Sequence, residues 1–133
     1  MHFITGLIGL VLFISSGVYM LVGDPPGFHE SDVSHVLYRA NHIYLLMSGL
    51  IHLVLSRVAR RGFSHRRTVF ATAGTWISVA GWAILVAAFL IEPRRGTLDR
   101  PLTQIGVVLL AVGAVTVLIC TRGGTRTSAR ASE

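Results

Sequence analysis

Four apolar stretches, approximately residues 3–23, 36–58, 68–91 and 104–121, fix the solvent in which this chain folds. Each meets or approaches the roughly 20 residues that a helix needs to cross a hydrocarbon layer about 30 Å thick. Of the residues 52% are hydrophobic and only 14% charged, a balance that belongs to lipid rather than to water. The expected fold class is therefore all-α: an integral membrane four-helix bundle with up-down topology and short loops.

The connectors DPPGFHESD, RVARRGFSHRR and EPRRGTLDRP are polar, and their prolines and glycines stop helices. Residues 1–121 are thus expected to form a single four-span transmembrane domain, and the basic tail, residues 122–133, to be disordered. The first stretch has no basic residue before it and no small-x-small cleavage pattern after it, so it is expected to be a retained helix.

The net charge of +6 would suggest a nucleic-acid partner in a soluble chain, but its distribution follows the membrane instead. Every basic residue is arginine. Arg57, Arg60, Arg61, Arg66 and Arg67 surround the second connector, and Arg122, Arg126 and Arg130 follow the last stretch, against Arg94, Arg95 and Arg100 in the third connector. Basic residues in short loops mark the cytoplasmic side, which places both termini in the cytoplasm and the protein in the cytoplasmic (inner) membrane. The partners expected for Arg57, Arg60, Arg61, Arg66 and Arg67 are anionic lipid headgroups, at about 1 kcal/mol each. No nucleic-acid partner is expected.

The second stretch carries the information about function. Placed at about 100° per residue, Val36, Leu37, Ala40, Ile43, Tyr44, Met47, Leu50, Ile51, Val54 and Leu55 collect on one side. His35, Tyr38, Arg39, Asn41, His42, Ser48, Gly49, His52 and Ser56 collect on the other, interrupted by Leu45, Leu46 and Leu53. Polar side chains in a span cost several kcal/mol toward lipid, so this face is expected to meet the other helices or a second copy of itself. His35, Arg39, Asn41, His42, Ser48 and His52 are its candidate ligand- or proton-handling residues. Arg39 lies about one turn into the helix and is expected to pair with Glu92, which ends the third stretch just before Pro93.

Metal and haem chemistry are weaker readings of the same residues. HESDVSH resembles the zinc-protease pattern only superficially, because its second histidine comes six positions after the first instead of four. His29, Glu30, Asp32 and His35 remain a weak candidate site for Cu or Zn. A haem b between two helices takes axial ligands from both; only the second stretch offers buried histidines, which leaves His42 with Met20, or His42 with its copy in a dimer. No cofactor is therefore expected as the first reading. Cys120, the only cysteine, is expected to be a packing residue.

Glycines and other small residues mark the remaining stretches as packing surfaces: Gly6, Gly9, Ser16 and Gly17, then Ala71, Gly74, Thr75, Ser78 and Gly81, then Gly106, Gly113 and Cys120 at seven-residue spacing. There is no Ser-His-Asp grouping, no phosphate-cradling loop and no pair of carboxylates within a span, so the chain is expected not to be an enzyme. The expected function is that of an accessory or assembly subunit, or a homo-oligomer, organised by the polar face of the second span. The alternative is a small transport or cofactor-binding protein that uses the same face for an ion, a proton or haem b.

Overall fold

The structure is a computed structural model that describes residues 1–23, 25, 32–59, 65–95 and 97–122, with the side chains of 59, 65–67 and 122 outside the description. Four helices account for nearly all of it: α1 (His2–Val22), α2 (Asp32–Ala59), α3 (His65–Ile91) and α4 (Pro101–Arg122), with a 3₁₀ turn at Pro93–Arg95. The breaks fall where the backbone chemistry puts them. Gly23 closes α1 by donating its N–H to the Tyr19 carbonyl at 2.9 Å, and Pro93, which has no N–H to give, ends α3. Pro101 opens α4, at a position where the missing N–H costs nothing.

Three of the helices, α1, α3 and α4, are long and apolar enough to cross a membrane. At 28 residues α2 is the longest, about 42 Å at 1.5 Å per residue, and its polar face lowers its apolarity rather than its reach.

Consecutive helices run antiparallel, and the molecule is two tight hairpins joined along α2. Small residues set both hairpins. Between α3 and α4 the seam repeats every seven residues: Ala71, Ser78, Leu85 and Glu92 with Gly74, Gly81 and Ala88 on one helix, Thr103, Leu110 and Val117 with Gly106 and Gly113 on the other. A Cβ on Gly81 would stand 2.8 Å from the Gly106 carbonyl oxygen, so the two backbones nearly touch. In the first hairpin a Cβ on Gly9 would stand 2.9 Å from the Cα of Gly49. Such approach lets dispersion and backbone dipoles act between the helices at close range.

The larger side chains fill the level above. Tyr38, Leu45 and Phe89 form a buried cluster against which Phe13, Met20 and Val86 pack, and the Tyr38 and Phe89 rings meet edge-on at 5.7 Å. On α2, Val36, Ile43, Met47, Leu50 and Val54 are exposed, in keeping with the expected apolar face. Leu37 and Leu55, expected on that outward side, are instead 1% exposed. They flank the arc centred on Asn41, Ser48 and His52, and three neighbouring helices cover an arc wide enough to include them.

Candidate functional site

The polar side chains of α2 divide into three clusters, one against α3 and the start of α4 and two against α1, the last of which also reaches α3. At the end where α2 and α4 begin, Glu92 is completely buried. Its carboxylate accepts the Thr103 backbone N–H at 2.9 Å and the Thr103 hydroxyl. The first amides of a helix have no acceptor within it, and Glu92 supplies one to α4 from the end of α3, with its negative charge at the positive end of the helix dipole. Arg100 stands beside it, Nε 3.9 Å from the carboxylate.

Asn41 joins α2 to this clasp. Its Nδ2 donates to the Ala88 carbonyl at 3.1 Å, and its Oδ1 accepts from a terminal nitrogen of Arg100. The Arg100 guanidinium also lies over the Tyr44 ring, 5.4 Å from its centre. Beside it Ser34 donates to the Pro93 carbonyl at 2.9 Å. One buried hydrogen bond contributes about 1 kcal/mol, so Ser34→Ala is expected to lower unfolding stability in detergent by about that amount, read from chemical denaturation followed by helical circular dichroism.

The ion pair differs from the expected one. Glu92 takes Arg100, not Arg39, and Arg39 is exposed. The physical reason lies in the two positions: Glu92 continues the inward seam of α3, whereas Arg39 sits at the margin of the polar face of α2 and turns outward.

The second cluster lies between α2 and α1. His42 is half-buried, with Nδ1 2.8 Å from the Ser16 hydroxyl and its ring stacked on Phe13 at 4.1 Å between centres. Gly17 keeps the space open, since a Cβ there would stand 3.1 Å from the imidazole carbon Cε1.

The third cluster lies at the opposite end, where α1 begins. His52 is completely buried. Its Nδ1 is 2.9 Å from Nδ1 of His2, and the two rings are stacked 5.1 Å apart at 28°. Nε2 of His2 reaches the Thr75 hydroxyl at 3.0 Å, so α1, α2 and α3 meet in one chain of polar atoms. Nε2 of the buried His52 ring makes no geometrically defined hydrogen bond among the described residues.

His2 corrects the expectation that buried histidines belong to the second stretch alone. The two imidazoles from different helices do not thereby make a haem site. Axial nitrogens on opposite sides of one iron stand about 4 Å apart, twice a metal–nitrogen bond of about 2 Å, and at 2.9 Å these two are bonded to each other. The proposed His42 partner Met20 packs on the aromatic cluster instead.

The other candidates are scattered. Ser48 is buried but donates to the Leu45 carbonyl of its own helix at 2.9 Å, which makes it a small contact residue. His35 is half-buried and follows Ser34 in the chain. Of the weak metal set, Asp32 is exposed, and His29 and Glu30 lie outside the described residues. Among the described residues no three histidine, cysteine or acidic side chains converge. Arg57 is exposed; Arg60 and Arg61, and the side chains of Arg66 and Arg67, lie outside the description.

Arg100, Thr103 and His2 are the site residues that sequence reasoning missed. No family model, no curated protein and no solved structure matches this chain.

Proposed function

We propose that the chain is a four-span protein of the cytoplasmic (inner) membrane, without catalytic machinery, that serves as an accessory or assembly subunit or a homo-oligomer. Its α2 is the organising element, and both termini face the cytoplasm. One observation supports this reading: three inward polar side chains of α2 are each engaged by other helices. Asn41 binds α3 and the start of α4, His42 binds α1, and His52 binds α1 beside α3. The outward faces support the membrane part of the reading, with Ile14 and Leu21 of α1, Phe70 and Trp76 of α3 and Ile119 of α4 all more than half exposed.

The double substitution His42→Phe, His52→Leu tests it. Each interhelical hydrogen bond in a membrane contributes about 1 kcal/mol, so the variant is expected to lose about 2 kcal/mol of stability and to assemble less completely on native gels. Full stability and assembly, with loss of a transport or binding activity alone, would overturn the organising role. The cofactor alternative has its own readout: a Soret band or stoichiometric copper or zinc in the purified protein would replace the non-catalytic reading with a cofactor-binding one.

A further inference from the structure

Arg39 is exposed at the edge of the outward stripe of α2, between Val36 and Ile43. Val36 and Ile43 stand three residues before and four after it, spacings that share one side of a helix. Both are more than half exposed, as is Met47 one turn further on. The guanidinium therefore leaves the helix among aliphatic side chains.

The neighbours of α2 fix its height. The register that sets Gly9 against Gly49 and Ser16 against His42 places Arg39 level with Tyr19, one turn before α1 ends at Val22. The bond from Asn41 to the Ala88 carbonyl places it level with Leu90, next to the last residue of α3. Arg39 thus stands where two apolar helices stop, which in a bilayer is the boundary between hydrocarbon and headgroups.

Among the described residues its charge has no counter-ion. Glu92, the buried carboxylate of this end, is taken by Arg100 and Thr103. Asp32 lies two turns earlier on α2, about 10 Å along the axis and beyond ion-pair reach. Asp99 immediately precedes Arg100, before the start of α4. The other cations of this end are placed differently: Arg94 meets the Tyr38 hydroxyl, and Arg95 belongs with it to the turn beyond α3.

A guanidinium among exposed aliphatic side chains calls for a ligand that is anionic at one end and apolar along the rest. We infer that Arg39 binds the phosphodiester of one anionic phospholipid, whose acyl chains lie along Ile43 and Met47. The planar fork of arginine matches two phosphate oxygens at once, and its long stem reaches back to the headgroup level. A net anionic head is preferred to a zwitterionic one, because the ammonium of the latter already compensates its phosphate. The inference rests on the membrane-spanning reading of the chain and gives it a ligand at the end of α2 opposite Arg57.

Lipid quenching beside the site tests it. Ile43→Trp, in the full chain carrying Trp76→Phe and Trp82→Phe, reports which lipid stands next to Arg39. Its fluorescence is read in mixed bilayers of phosphatidylglycerol and phosphatidylcholine, with brominated chains on one lipid or on the other. Phosphatidylglycerol is expected to be enriched about five-fold at the reporter, the preference that one arginine near an anionic surface confers. Arg39→Gln is expected to bring the ratio to about one without loss of helix content, and Arg39→Lys to keep part of the enrichment. A ratio of about one before that substitution, an enrichment that Arg39→Gln leaves intact, or displacement of the lipid by millimolar glycerol phosphate would overturn the lipid site while leaving the spanning reading in place. No quenching by either lipid would overturn both. Native mass spectrometry needs no tryptophan substitutions: the unsubstituted chain is expected to retain more phosphatidylglycerol than the Arg39→Gln variant, and equal retention would count against the site.

Discussion

Arg100→Met is expected to destabilise the protein by about 3 kcal/mol, read as a shift in the denaturation midpoint of the nanodisc- or detergent-held chain. Breaking a buried pair by removing one partner typically costs about 3–5 kcal/mol, because the other charge is left without compensation. Here that charge is Glu92, which has no exposed surface at all. The lower end of the range applies because Thr103 still donates twice to the carboxylate, and because the Arg100 side chain is itself 20% exposed. The substitution also removes a donor to Asn41 Oδ1, one of the bonds that tie α2 to the hairpin. The double variant Arg100→Met, Glu92→Met separates the two effects, since replacing a whole buried pair by apolar side chains is often close to neutral. It is expected to recover most of the loss. Equal damage in the single and double variants would mean that the Asn41 connection, not the stranded charge, carries the cost. Arg39→Met serves as the control and is expected to change stability by less than about 0.5 kcal/mol, as an exposed position should.

The helices themselves are legible because runs of about 20 apolar residues are long enough to cross a membrane, a length and apolarity that α1, α3 and α4 have. The inward face of α2 is legible from angular placement: Asn41, Ser48 and His52 fall on one side of the helix, and all three are buried. What was not legible was the partner of each polar group, which depends on the rotation and height of another helix. Level along the bundle alone pairs Glu92 with Arg39, whereas the structure pairs it with Arg100. Its rotation was nevertheless written in the chain, since Glu92 follows Ala71, Ser78 and Leu85 at seven-residue intervals and so belongs to the inward seam. Thr103 stands three residues before Gly106 in the matching seam of α4. The same periodicity places His2 with Gly9 and Ser16, the buried stripe of α1. Extending the seven-residue pattern past the apolar residues to the ends of the helices is the step that finds all three. No pattern of this kind would have shown that Arg100 bends back over Tyr44, because its backbone lies outside any helix.

A second large effect is expected at the backbone contact between α3 and α4, where Gly113→Leu opposes two terms of opposite sign. Leucine is a better helix former than glycine by about 1 kcal/mol, so α4 considered alone gains. Against this, even the first carbon of the new side chain would stand 2.5 Å from the Gly74 carbonyl oxygen and 2.7 Å from the Ser78 Cβ, with the Ser78 nitrogen closer still. These are backbone atoms and the stem of a side chain, and none of them can rotate away. The helices must separate, which opens the contacts on either side, Gly81 against Gly106 and Gly74 against Thr116. Overpacking a well-filled core costs about 1–3 kcal/mol and occasionally more, and a continuous helix seam sits at the upper end because one clash displaces every layer. The net loss is expected to be about 2 kcal/mol or greater, seen as a lowered thermal midpoint and as faster proteolysis between α3 and α4. Ala111→Leu, two residues away on the exposed side of α4, adds a comparable apolar side chain without a clash and is expected to be neutral. A Gly113→Leu variant as stable as that control would mean that α3 and α4 do not approach at backbone distance.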